Sequence, residues 1–444
     1  MPMPTGRRKA ALPILAAGLA VFSLVLAATY LRRPGEALGP APGPEGPAAP
    51  AEGGTDAGQA PPDGSEPAAE SPAPGSNSPA PVPPRPGRAV ELVPALDRWL
   101  EAGGRPEGLP ALAAAWQAWD PGDRLTPADL DGDGRTEYLL PLRWTGAEPA
   151  GARSGYLVAV RAEGNTWRAE AVPIVGEPAL AEGPAPGEPV LPPPVLNPGL
   201  VGTADLDGSG GAEVVATSQS CGAHTCFLTV SVLRRDPGGW HSLLTVPEVP
   251  GGEAHLAGTE VWVTASGVGS VGAGPQRPET WVYRWDGKGL ALASHSRAPS
   301  RYAHFRLVDG AAATAAGDLA RARQLYQEVL TAGDQLEYWA DPALEAPFLR
   351  ALARFRLLVL AAMEGRAEEV ATLAEAAARE DGPYARWSQA FLAAAGPRGE
   401  NWRAGCRAAA DAWGLSPTEP PAYWGYSHEP FGPESLCPGL EGAR

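Results

Sequence analysis

Apolar and polar positions change period several times along the 444 residues. The chain opens with an uninterrupted apolar run from Ala10 to Leu31, flanked by Arg7-Arg8-Lys9 and Arg32-Arg33. About 22 helical residues span roughly 33 Å, the thickness of a bilayer core. The run therefore predicts a transmembrane helix over 1–33, with a cleavable signal peptide as the alternative reading of the same residues. From 34 to 88 large apolar side chains nearly vanish among Pro, Ala, Gly, Glu and Ser, which predicts a disordered linker that cannot bury enough surface to fold. Apolar residues then recur at helical spacing over 90–120: Val93, Leu96 and Leu100, then Leu112, Ala115, Trp116 and Trp119. Between 125 and 294 the pattern becomes short alternating runs punctuated by Gly, Asp and Pro, the signature of strands. After Arg301 the helical period returns.

The strand region is internally repetitive. In the first unit a strand ending near Leu142 is followed by a hairpin, Tyr156–Val160 and Trp167–Ala171, around a turn at Glu163-Gly164-Asn165. In the second, a strand to Ser218 precedes Leu228–Val232, a turn at Asp236–Gly239 and Trp240. Trp167 and Trp240 occupy equivalent places. The third begins at Gly258–Thr264, which mirrors Gly211–Thr217, and closes with Trp281–Trp285 and Leu290–Leu292. Each unit reads as a meander of three or four strands. Three such units do not close a propeller, so an open or sandwich-like sheet with helices covering its edges is the other reading. The Pro-rich stretch 173–198 reads as a surface loop between the first two units.

Two of the units carry an acidic loop. Asp129, Asp131, Asp133 and Glu137 stand at positions 1, 3, 5 and 9 of one, and Asp205, Asp207, Ser209 and Glu213 at the same positions of the other. Gly134 and Gly210 hold position 6, where the chain must turn sharply, and the carbonyls of Arg135 and Gly211 would supply a ligand from position 7. Aspartates spaced this closely repel unless a cation compensates them, and a hard divalent ion with oxygen ligands, Ca2+, suits the donor set best. An EF-hand would need a bidentate Glu at position 12 and a helix on each side. Position 12 is Leu140 in one loop and Ala216 in the other, and strands follow. A solvated acidic turn without metal is the plainer reading, more so for the loop in which Ser209 replaces an acid. In the third unit Gly252, Ala254 and Leu256 are expected where the aspartates should be, so that the strands persist without the cage.

The string Ala-Asp-Leu-Asp-Gly-x-Gly-x-x-Glu, read twice ahead of a strand, resembles the FG-GAP and VCBS repeats of integrin-α-like β-propellers. The resemblance covers about residues 125–294 and implies calcium-stabilised, propeller-like blades. Beyond it, Ala315–Leu330, with Gly317 at a turn and Ala322 and Tyr326 on the packed face, resembles the second half of a tetratricopeptide repeat. Ala361–Val370 repeats this more weakly, and a third pair spans Tyr384 to Trp413 with a break near Gly396. An ordinary α-hairpin bundle is the alternative. The aromatic tail after Ser416 is expected to wrap back over the helices.

The four cysteines read as two disulfides, Cys221–Cys226 and Cys406–Cys437, in an oxidising compartment. A metal site from Cys221, His224 and Cys226 lacks a fourth ligand. The net charge of −16 argues against nucleic acid. No His-Glu-x-x-His, Gly-x-Ser-x-Gly or phosphate-loop motif appears. The sequence therefore predicts a multidomain chain: an anchor over 1–33, a linker over 34–88, a β-repeat domain over 89–298, a helical-hairpin domain over 299–414 and a tail over 415–444. Its expected place is the cell membrane, with a cytoplasmic N-terminus and extracytoplasmic domains. Its expected role is non-catalytic binding or scaffolding of a protein or cell-surface ligand. A cell-wall hydrolase with a site between the β and α domains is the alternative.

Overall fold

The structure is a computed structural model that describes residues 80–145, 153–178, 191–414, 424–428 and 430–437. The expected anchor and most of the expected linker lie outside the described residues. Among the described residues no helix is long and apolar enough to cross a membrane. The end of the expected linker is ordered, which corrects its boundary. Residues 80–88 pack as an extended strap, because the Trp116 indole donates to the Pro83 carbonyl at 3.1 Å and Pro86 is buried.

Helices α1 (Leu92–Glu101) and α2 (Leu109–Ala115) come first. The helical pattern expected to continue through Trp119 stops at Ala115. Gln117 takes a left-handed φ of 53°, and the Ala118 carbonyl accepts the N–H of Arg143 instead of closing a helical turn.

Among the described residues thirteen strands follow, in three antiparallel sheets. The first sheet runs in order β1 (Thr126–Ala128), β2 (Glu137–Trp144), β3 (Ser154–Glu163), β4 (Thr166–Ala171), with β5 (Val195–Leu196) paired to β3. The second is β6 (Gly199–Ala204), β7 (Glu213–Cys221), β8 (Cys226–Asp236), β9 (Gly239–Pro250). The third is β10 (Gly252–Ala257), β11 (Glu260–Ala265), β12 (Glu279–Trp285), β13 (Leu290–Arg297). Apart from β5, each is a meander in sequence order, and among the described residues the sheets do not close into a barrel or propeller. The stretch expected to be a simple surface loop is in part structural: Ile174 and Val195 are buried, and β5 adds to the first sheet.

Side-chain alternation along the strands builds the layers. In the first sheet Leu140, Leu142, Val158 and Val160 face α1 and α2, while Leu139, Leu157 and Ala159 face the second sheet. In the second, Val214, Ala216 and Leu233 turn to the first sheet, and Val215, Val230 and Val232 pack against Val261 and Val263 of the third. Strands buried on both faces carry continuous apolar runs, as Tyr156–Val160 does. Helix α1 also covers a sheet edge, because Asp97 accepts the backbone N–H of Ala169 on β4 at 2.9 Å.

The sheets give way to helices: α3 (Ala303–Ala315), α4 (Leu319–Thr331), α5 (Pro342–Met363), α6 (Ala367–Ala377), α7 (Pro383–Ala395) and α8 (Trp402–Asp411). Gly317 and Gly365 turn α3 into α4 and α5 into α6 with φ of 79° and 69°, which glycine adopts without steric cost. Ala322 and Tyr326 are fully buried between them. The tail returns to this core: Trp424, Phe431 and Leu436 are buried in it, and the buried Arg356 guanidinium donates to the Ser435 carbonyl at 2.6 Å and the Leu307 carbonyl at 2.7 Å. Disulfides join Cys221 to Cys226 across the β7–β8 hairpin and Cys406 on α8 to Cys437 in the tail. Sheets and helices are tied by Arg277, whose guanidinium makes a two-point pair with Asp309 at 2.7 and 2.8 Å, and by Ser427, which donates to the Ala273 carbonyl at 2.7 Å.

Candidate metal centre

Both acidic loops lie in the same place, between the first and second strands of a sheet: 129–136 joins β1 to β2, and 205–212 joins β6 to β7. Their internal hydrogen bonds match. The position-6 amide donates to the position-1 carboxylate, Gly134 to Asp129 at 2.9 Å and Gly210 to Asp205 at 3.1 Å. The position-2 amide donates to the position-9 carboxylate, Leu130 to Glu137 at 2.8 Å and Leu206 to Glu213 at 2.7 Å. Glycines at positions 4 and 6 all take left-handed φ: Gly132 and Gly134, Gly208 and Gly210. Position 4 therefore favours glycine for the same reason as position 6.

Three carboxylates converge in each loop. Asp129, Asp131 and Glu137 offer oxygens within 4.8 Å of one another, and so do Asp205, Asp207 and Glu213. Two oxygens bound to one Ca2+ at about 2.4 Å can be no more than about 4.8 Å apart, so both groups fit such an ion. Asp133 stands outside the first group. It is exposed and accepts the Arg135 amide at 2.8 Å. Ser209 is tied to Asp207, to which its amide donates at 2.8 Å. Arg135 and Gly211 hold the seventh positions, and Gly211 packs against loop one so closely that a Cβ there would lie 3.1 Å from the Leu130 carbonyl oxygen.

The position-9 glutamates are the buried floor of each group. Glu213 has no exposed surface, and its Oε1 has no hydrogen-bond partner. Burial pushes its carboxyl above the usual range, and Asp207 and Asp205 push it further. Glu137 is raised in the same way, by burial and then by Asp131, Asp133 and Asp129. Asp131 Oδ1 is also buried without a partner. A buried, unsatisfied carboxylate oxygen costs stability unless a cation or proton meets it.

The expectation that only an ion could compensate the aspartates is corrected. Each position-3 carboxylate has an arginine. Arg234 Nη1 lies 2.8 Å from Asp207, and Arg235 Nη1 lies 3.1 Å from Asp131 while its Nε lies 2.7 Å from Glu170. Adjacent residues on a strand point to opposite faces. Arg234 therefore serves the loop of its own sheet, and Arg235 reaches the loop of the neighbouring one. In Asp207 the hydrogen bonds from Ser209 and the pairing with Arg234 outweigh burial and hold the carboxyl below its ordinary value. The loops also touch directly, the Ala212 amide donating to the Asp129 carbonyl at 2.8 Å.

The third sheet loses the cage for a different reason than expected. Gly252, Ala254 and Leu256 lie within β10 itself, and the β10–β11 connection is only Gly258-Thr259. The loop has been shortened, not substituted. The rival thiolate site is removed by the Cys221–Cys226 bond. No protein-family model, curated protein or solved structure matches the chain.

Proposed function

We propose that this chain is a membrane-anchored, extracytoplasmic binding or scaffold protein, non-catalytic, whose first two β-repeats are stabilised by calcium in the manner of FG-GAP and VCBS repeats. The observation that carries the reading is Glu213: a carboxylate without exposed surface, one oxygen unpartnered, grouped with two aspartates; the first loop groups buried Glu137 with two aspartates in the same way, its unpartnered buried oxygen being on Asp131. The ion would be held by Asp129, Asp131 and Glu137 in one loop and by Asp205, Asp207 and Glu213 in the other. It would supply fixed positive charge where the sheets meet and leave the outer surfaces of sheets and helices to a protein or cell-surface ligand. Two disulfides suit an oxidising compartment. The run from Ala10 to Leu31 is long enough for an anchor, and the disulfides favour a folded part held outside. The helical hairpins that turn at Gly317 and Gly365 suit tetratricopeptide-like packing, a common frame for interaction surfaces.

Protease treatment of intact cells tests the reading. With calcium present, cleavage is expected in the linker only, releasing a resistant fragment that begins near residue 80. With a chelator, cleavage is expected to enter residues 129–136. A protein untouched until the cells are lysed contradicts the placement, and an unchanged digest in chelator contradicts the calcium.

A further inference from the structure

A cleft of about 500 Å³ lies at the end of the second sheet opposite its acidic loop. Strand β7 leaves that loop at Glu213 and reaches the cleft at Ser218 and Ser220. The facing wall is the segment 175–178, and it is pinned to the sheet: the Val175 amide donates to Ser231 Oγ at 3.0 Å, and the Val175 carbonyl accepts the Ser218 hydroxyl at 2.9 Å. The third wall is a bulge on β9. Thr229 of β8 stands opposite both Pro247 and Glu248, where the register slips between Leu228 and Val230. Glu248 takes a left-handed φ of 51°, an uncommon conformation for a residue with a Cβ, and its amide donates to Thr229 Oγ1 at 3.3 Å. Bulges re-aim side chains, and here Glu248 lines the cleft.

The chemistry of the lining is one-sided. Its two charged residues, Glu177 and Glu248, are exposed acids, and neither has an ion-pair partner among the described residues. Ser220 donates its hydroxyl to Glu177, which leaves that charge uncompensated. Among the described residues no lysine, arginine or histidine lines the cleft. The stretch that follows in sequence, 179–190, has no basic residue and adds Glu182 and Glu188. Beside the acids stand half-buried Phe227 and the half-exposed side chain of Val175. Carboxylates call for a cation with N–H donors, and an aromatic ring with aliphatic surface calls for a hydrocarbon body next to that cation. We propose that this cleft binds a small aliphatic amine, with its ammonium on Glu177 and Glu248 and its methylenes on Phe227 and Val175.

The test is calorimetric titration of the full chain in non-ionic detergent, kept in millimolar calcium so that the acidic loops are occupied. The probes are putrescine, its neutral isostere 1,4-butanediol, and tetramethylammonium, a cation without N–H donors. Putrescine is expected to bind, and to bind less tightly as salt rises. Tetramethylammonium is expected to bind more weakly, and butanediol to give no heat. Glu177→Gln and Glu248→Gln keep the shape and the acceptor oxygen while removing the charge. Each is expected to weaken putrescine by up to about fivefold, the range of an exposed ion pair. The double variant is expected to lose detectable binding at an unchanged melting temperature. No binding of putrescine, equal binding of putrescine and butanediol, or full binding by the double variant overturns the proposal. So does putrescine that binds only in chelator, because the amine would then sit on the acidic loops.

Discussion

Arg235, on β8 of the second sheet, donates to Asp131 in the loop of the first sheet at 3.1 Å, and the same guanidinium holds Glu170 on β4 at 2.7 Å. The first candidate metal site is thus built by two sheets and already contains one tethered positive charge. An incoming cation meets a carboxylate whose charge is partly spent. Arg235→Gln should therefore tighten calcium at the Asp129 loop by about tenfold, the effect of roughly 1.4 kcal/mol at a partly buried charge. The same change should lower the melting temperature of the metal-free protein, because Asp131 loses its arginine partner and Glu170 keeps only the longer ion pair with Arg161 among the described residues. Isothermal titration and melting in chelator read the two effects separately, and looser binding in the variant would show that Arg235 organises the site instead of competing with the ion.

Glu213→Gln separates charge from shape. The amide oxygen can still accept the Leu206 N–H, so the loop should fold. Burial raises the Glu213 carboxyl above its ordinary range, so removing its charge should leave the metal-free protein as stable or slightly more so. Calcium binding at the second loop should drop by at least about tenfold, as expected when a charged ligand becomes neutral. A variant that melts earlier in chelator yet still binds calcium normally would contradict the assignment.

The two sites should bind with similar affinity. Counted along the sequence, the first loop has four acids and the second three, which favours the first. In the folded chain each group contains three carboxylates, because Asp133 stands apart, and each position-3 acid has its own arginine. Calcium constants more than about a hundredfold apart would mean that Asp133 joins the site when the ion arrives.

What the sequence made legible follows from how local each feature is. The acidic loops, their position-6 glycines, the strand that follows each and the disulfide across Cys221 and Cys226 are all set within a few residues, and pattern alone locates them. The layers of sheets were legible through strands apolar on both faces, such as Tyr156–Val160. Arg234 and Arg235 were not, since nothing in a charged pair at a strand end says that one reaches back to Asp207 and the other across a sheet interface to Asp131. The order of the strap at 80–88 was hidden for the same reason: proline-rich composition reads as linker, and only Trp116, far along the chain, captures it. The shortened third loop was misplaced because Gly252–Leu256 can be read as loop or strand until the pairing with β11 fixes the register.

Acid should loosen the helical part through His304. Its ring is buried against Trp424, Phe431 and Phe305, with His428 at 5.5 Å. Burial, then the charges of His428, Arg277 and Arg356, lower its pKa from 6.5 to about 3. Between those values the unfolded chain takes up a proton that the folded one refuses, so stability is full above about pH 6.5 and falls as pH drops below it, by up to about 1.4 kcal/mol per pH unit. His304→Phe should flatten that slope. Parallel slopes for variant and parent between pH 4 and 6 would contradict the assignment.

The Cys406–Cys437 bond closes a loop of 31 residues. In the chain-entropy model such a closure stabilises by about 3–4 kcal/mol. Replacing both cysteines by alanine should lower denaturant stability by that order, with the loss sensed at Trp424 and Phe431, which the bond holds on the helices. A loss below about 1 kcal/mol would show that Arg356 and the aromatic contacts hold the tail without it.

If calcium in the two loops holds the sheets, removing it should unfold them first, which is read by melting the calcium-loaded chain with and without chelator and following sheet and helix signals separately. At a hundredfold excess over the dissociation constant each site should contribute about 2.7 kcal/mol. The chelator is therefore expected to lower the sheet transition clearly and the helical one little, with Asp131→Ala and Asp207→Ala each removing part of the difference. Identical transitions with and without chelator, in protein shown by elemental analysis to carry two ions at the start, would mean that the loops are acidic turns and calcium does not hold the sheets.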